Sequence, residues 1–109
     1  MAITEISIDE LAAALQSSDG AQVIDVREID EYTDGHVPGA LLIVLSTVPD
    51  NVDAFRSDGP TYVICKSGGR SMRACEFLSD EGLDVINVAG GTVGWQLSGR
   101  DVVEGDSPS

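Results

Sequence analysis

Positive charge is scarce in this sequence. Its 109 residues carry six Lys and Arg against nineteen Asp and Glu, a formal net charge of −13. So acidic a chain repels the phosphates of nucleic acid and of anionic membrane surfaces, and neither is expected as a partner. Long apolar runs are also lacking. The run Ala40 to Leu45 stops far short of the ~20 apolar residues that a membrane helix needs. The opening Met1-Ala2-Ile3-Thr4-Glu5 has no basic stretch followed by an apolar one, so a signal peptide is not expected. Cysteine is scarce, with Cys65 and Cys75 alone, which is no disulfide frame. Two thiols without a leader point to a reducing compartment, the cytoplasm, and to chemistry rather than cross-linking.

What is present suits one domain. A chain of this length hides roughly two-thirds of the surface it exposes when unfolded, enough for a real core. Strand-like and helix-like segments alternate. A strand near Glu5-Ile6 leads into Ser7-Ile8-Asp9-Glu10, a capping box for a helix with apolar Ile8, Leu11, Ala12 and Leu15 that stops near Ser17 to Gly20. Further strands are predicted at Val23 to Val26, Ala40 to Leu45, Thr61 to Ile64 and Val85 to Val88. Short helices are predicted at Glu28 to Thr33, Pro49 to Phe55 and Gly91 to Leu97. A longer one covers about Arg70 to Glu81, closed by Gly82. Continuous apolar strands alternating with helices predict an α/β domain over residues 1–101, with a five-stranded, mostly parallel sheet covered by helices on both faces. Residues 102–109 read as a frayed tail. In such sheets ligands bind beyond the carboxyl ends of the strands, and Cys65 directly follows one.

Three of the six cations, Lys66, Arg70 and Arg73, fall within eight residues beside Cys65. The segment Ile64-Cys65-Lys66-Ser67-Gly68-Gly69-Arg70-Ser71 has the chemistry of an activated thiol. A free thiol has a pKa near 8.5 that falls to about 3.5–7.5 near helix N-termini and cations. Here the sulfur sits just ahead of a helix start. Gly68 and Gly69 let the backbone curl so that N–H groups converge on one point, and Lys66 and Arg70 add formal charge. A buried, inert cysteine ending a core strand is the plain structural alternative. The glycines, cations and helix start together favour the nucleophile.

At this loop the chain resembles the rhodanese family, and other segments agree. Asp25-Val26-Arg27-Glu28 with Glu31-Tyr32 is similar to the family's pattern after its second strand. Gly35-His36-Val37-Pro38-Gly39-Ala40 is similar to its Gly-His-Ile-Pro-Gly-Ala signature, with Val37 for Ile. Cys65 to Ser71 looks like the active loop of small bacterial members, and Gly90-Gly91-Thr92-Val93-Gly94-Trp95 resembles the closing Gly-Gly-x-x-x-Trp motif. The resemblance spans roughly Ile8 to Gly99. It implies a single-domain sulfurtransferase of the thiosulfate sulfurtransferase type, in which the Cys65 thiolate takes the outer sulfur of thiosulfate or a similar small anionic donor. The resulting persulfide passes its sulfur to cyanide in the assay, or to a thiol or sulfur-carrier protein in the cell. By position, Lys66, Ser67, Gly68, Gly69, Arg70 and Ser71 would cradle the persulfide, with Arg70 and Lys66 attracting the donor. The resemblance requires no metal and no organic cofactor, and a monomer is the simplest expectation.

Related phosphatases and arsenate reductases use a wider Cys-x5-Arg loop, whereas Cys65 to Arg70 is Cys-x4-Arg, a shorter cradle that suits a terminal sulfur better than phosphate, and Ile64 rather than a His precedes the Cys. Two further alternatives are a binding or regulatory module whose loop docks a partner, and a redox sensor. Cys75 is poorly placed as a resolving thiol, because it falls among Ala74, Phe77 and Leu78 on the helix after the loop. His36, the sole histidine, reads as structural rather than as a general base. Arg27 either helps hold the donor or pairs with Asp25, Glu28 or Glu31. Trp95 reads as core packing, with a pocket wall as the alternative, and Arg73 serves either an anion site or solvation.

Overall fold

The computed structural model describes residues 3–17 and 20–109. The expectations for Met1-Ala2 and for a helix stop at Ser18-Asp19 lie outside the described residues. Five strands form one sheet, β1 (Thr4–Ile6), β2 (Gln22–Asp25), β3 (Leu41–Leu42), β4 (Thr61–Ile64) and β5 (Ile86–Val88), in the order β1-β5-β4-β2-β3. Every pairing among them is parallel. Four α-helices cover it: α1 (Ile8–Ser17), α2 (Ile29–Asp34), α3 (Gly69–Asp80) and α4 (Gly91–Leu97). None is long and apolar enough to cross a membrane.

Side-chain alternation along the central strands divides the core into two layers. Tyr62 and Ile64 of β4 face a cluster with Leu11, Tyr32 and Trp95 from α1, α2 and α4. Val63 faces the other way, with Ile24 of β2, towards Ala74, Cys75 and Leu78 of α3. β4 is buried along its whole length, which explains its unbroken apolar sequence.

Local signals hold where they are chemical. The Ser7–Glu10 capping box forms, with Ser7 N–H donating to Glu10 Oε1 at 2.9 Å and Glu10 N–H to Ser7 Oγ at 3.1 Å. Gly82, at φ +87°, closes α3, and Leu83 N–H donates back to the Leu78 carbonyl at 3.0 Å. Hydrophobicity misleads elsewhere. The strand expected over Ala40 to Leu45 is only Leu41–Leu42, after which the chain turns into 3₁₀ helix over Leu45–Asp50 and again over Val52–Phe55. Ile43, Leu45, Val48 and Phe55 all pack into the α3-side core, and burial makes such residues apolar whatever the backbone does.

The tail requires a correction. Residues 102–109 are docked, not frayed. Val103 and His36 exchange two backbone hydrogen bonds at 2.9 Å, Gly105 N–H donates to the Thr33 carbonyl at 2.8 Å, and Gly39 N–H donates to that of Pro108 at 2.8 Å. Val102 packs into the α1-side core. Backbone pairing of this kind has no composition signal, which is why the polar tail reads as loose.

Candidate active site

The sheet brings three chain crossings to one end. Cys65 follows β4, Arg27 follows β2 and Gly90-Gly91 follows β5. Directly after Cys65 the chain doubles back through Gly68 at φ +115°, a left-handed conformation that glycine adopts without penalty, and enters α3 at Gly69. The curl turns Gly68 N–H onto the Cys65 sulfur at 3.1 Å, while Ser71 Oγ reaches it at 3.3 Å from the first turn of the helix. Cys65 is buried. Burial pushes its thiol pKa up, but the Ser71 hydroxyl and the backbone N–H groups of Ser71, Gly68 and Ser67 outweigh it, and the net shift is downward. The arrangement is a cradle of donors aimed at one sulfur anion.

The start of α4 forms the floor beneath the cradle. The Cys65 carbonyl accepts from Thr92 N–H at 2.8 Å and from Thr92 Oγ1 at 3.0 Å, and the Lys66 carbonyl accepts from Val93 N–H at 3.0 Å. Gly91, at φ +59°, lies so close that a Cβ there would stand 2.5 Å from the Lys66 carbonyl oxygen. From β5, buried Asn87 donates through Nδ2 to the Gly68 carbonyl at 3.3 Å and to Glu5 Oε2 at 2.8 Å, leaving its own Oδ1 buried without a partner. The Gly68 carbonyl is thereby held from outside the loop.

A cavity of about 200 Å³ opens beside the loop, lined by Arg27, Glu31, Asp34, Lys66, Thr92 and Gln96 among others. A larger one, about 420 Å³, lies at the opposite, amino-terminal end of β4 and β5, and neither cysteine lines it. The cations around the loop are not equally available. Arg27 is buried and grips Asp25 through Nε and Nη2 at 2.7–3.0 Å, with Nη2 also donating to the Gly35 carbonyl at 2.9 Å. Its ion pair with Asp25 is the structural option. Arg70 does not stand free to receive an anion: Nη1 and Nη2 meet Glu31 Oε1 and Oε2 at 2.7 and 2.8 Å. That hydrogen-bonded guanidinium holds the Glu31 carboxyl down at about 2. Lys66 and Ser67 are exposed, and Lys66 makes no ion pair among the described residues.

The remaining candidates fall outside the cradle. His36 is fully buried, stacked on Tyr32 at 3.7 Å, with Nδ1 against the Tyr32 carbonyl at 2.8 Å and Nε2 against the Ser107 carbonyl at 2.9 Å. It staples α2 to the tail. Trp95 packs into the core and donates to the Asp101 carbonyl at 2.8 Å. Cys75 is fully buried beneath α3, and burial pushes its thiol up to about 12. Arg73 is exposed one turn along α3 and does not line the cavity beside the loop.

The Rhodanese-like domain family profile matches residues 7–98. The chain belongs to the rhodanese family. Among curated rhodanese relatives, YtwF of Bacillus subtilis is 34% identical over 96 residues, covering 88% of this chain and 93% of its own. The thiosulfate sulfurtransferase GlpE of Pseudomonas putida is 34% identical over 90 residues, covering 82% of each chain. Among solved structures, a rhodanese-related protein of Thermoplasma volcanium superposes with a TM-score of 0.83 at 32% identity, over 92% of this chain and 97% of that one. A rhodanese-like domain protein of Staphylococcus aureus gives 0.80 at 38% identity, over 85% and 91%.

Sequence reasoning placed the rhodanese loop but not its supports. Thr92, Asn87 and Glu31 all act on the loop from other elements, and for Asn87 and Glu31 the local sequence does not mark the contact. The Gly90-Gly91 pair was the available signal, since two glycines opening a helix suggest a close backbone approach.

Proposed function

We propose that this rhodanese-family chain is a sulfurtransferase that carries sulfane sulfur on Cys65. The Cys65 thiolate attacks the outer sulfur of the donor. The donor's S–S bond breaks, its electron pair leaves on sulfite (for thiosulfate) or on the corresponding leaving group, and a Cys65 persulfide remains. An acceptor nucleophile, cyanide in the assay and a thiol or sulfur-carrier protein in the cell, then takes the terminal sulfur and releases the thiolate. Electrons and atoms balance without a metal or an organic cofactor.

The observation that carries this reading is the convergence of Gly68 N–H and Ser71 Oγ on the Cys65 sulfur, 3.1 and 3.3 Å away. Such donors stabilise the thiolate before reaction and suit the negative terminal sulfur of a persulfide after it. The activity named for the GlpE relative supports the same chemistry. Intact-mass spectrometry after incubation with a sulfane donor tests it. Wild type should gain the mass of one sulfur and Cys65→Ser none, and cyanide should strip the gain as thiocyanate. No gain from thiosulfate, mercaptopyruvate or a small persulfide would overturn the catalytic reading in favour of a binding module.

A further inference from the structure

Both arginines nearest the loop are spent on carboxylates. Arg27 is spent on Asp25, and Arg70 is spent on Glu31 through both nitrogens. Lys66 and Asp34 both line the cavity beside the loop, with no ion pair between them. Two of the cations by the loop are thus each matched by a carboxylate, on a chain that is acidic overall. Glu31 is firmly held: Oε1 also accepts Glu28 N–H at 3.1 Å at the head of α2, so the carboxylate is anchored from its own helix as well as by Arg70. Arg70 sits in the first turn of α3 beside Ser71, whose hydroxyl reaches the sulfur at 3.3 Å. The arginine of the loop is therefore neutralised by a carboxylate with a fixed position, which leaves Lys66 as the loop cation without an ion pair among the described residues.

We infer that Glu31 is a specificity determinant that restricts multiply charged anions at Cys65, so that the preferred donors are sulfane compounds of low charge, organic persulfides and thiosulfonates, rather than dianionic thiosulfate. This rests on the sulfur-transfer reading for its donor class, but the electrostatic control itself does not. Thiosulfate and methanethiosulfonate present the same terminal sulfur and differ by one charge. With either, the Cys65 thiolate displaces the electron pair onto the leaving group, sulfite or methanesulfinate, and the persulfide is the same.

Glu31→Gln tests the assignment, since Gln keeps an oxygen for Glu28 N–H and for Arg70 while removing the charge. We expect the ratio of kcat/KM for thiosulfate over methanethiosulfonate to rise about tenfold, one unit of charge within a few ångströms of the donor. The ratio of Cys65 alkylation rates by anionic iodoacetate over neutral iodoacetamide should rise by about threefold for the same reason. An unchanged or lower alkylation ratio overturns the inference. If that ratio rises but neither donor loads Cys65 in either protein, the sulfur-transfer reading has failed and Glu31's control of anion entry stands. Wild type gives an independent check, because thiosulfate kcat/KM should stay level or increase with added salt. A steep fall would mean that the loop's cations attract the dianion despite Glu31, and would overturn the inference without any variant.

Discussion

Thr92 holds the carbonyl of Cys65 twice, through its backbone N–H at 2.8 Å and its hydroxyl at 3.0 Å. Cys65 is thus positioned from a helix 27 residues further along the chain. The close approach needs the missing side chain of Gly91, whose Cβ would meet the Lys66 carbonyl oxygen at 2.5 Å and the Cys65 carbonyl oxygen at 2.7 Å. Gly91→Ala is expected to cost about 3 kcal/mol, from a left-handed φ combined with a backbone clash. Thermal unfolding should show a Tm lowered by about 10 °C or more, and thiocyanate production should fall with it even at temperatures where the variant is folded.

Ser71 controls the thiolate. Ser71→Ala removes the hydroxyl 3.3 Å from the sulfur and should raise the Cys65 pKa, moving the inflection of the alkylation pH profile upward. Persulfide formation at neutral pH should drop about tenfold, the worth of a hydrogen bond to a charged group. A profile that stays in place would show that the backbone donors suffice.

The depressed Cys65 pKa also has a stability consequence. The folded state favours the thiolate, so this contribution is fully present above the unfolded thiol value of about 8.5 and is lost as pH falls through the lower folded value. Wild type should therefore gain stability relative to Cys65→Ser as pH rises between those two values. Denaturant midpoints measured in parallel across that window check the sign.

Cys75 should be chemically silent. Its thiol is fully buried and is pushed up to about 12, so native protein should take up one equivalent of iodoacetamide, and Cys75→Ala should take up one as well. Cys75→Ala should retain sulfur transfer and lose about 1 kcal/mol through a small cavity. Uptake of two equivalents by native wild type would contradict the burial.

Deleting residues 102–109 should destabilise the domain by about 2 kcal/mol or more, through the lost His36–Val103 pairing and Val102 packing. The alkylation pH profile of Cys65 should not move, because no donor to the sulfur comes from the tail.

The sequence by itself determined the features that arise from local chemistry. The unbroken, largely apolar run Thr61–Ile64 makes a central strand, Ser7 and Glu10 cap α1, and Gly82 ends α3. Cys65, the two glycines after it and the start of α3 are contiguous, so the cradle was legible as a unit. Only the tertiary structure decided how the loop's charges are spent. Arg70 reads as an anion receiver from its neighbours in the chain, yet Glu31, 39 residues away, occupies both its nitrogens. Asn87, Thr92 and the docked tail are invisible for the same reason. Their roles are hydrogen bonds to backbone carbonyls brought close by the parallel crossovers, and a backbone carbonyl carries no sequence signature.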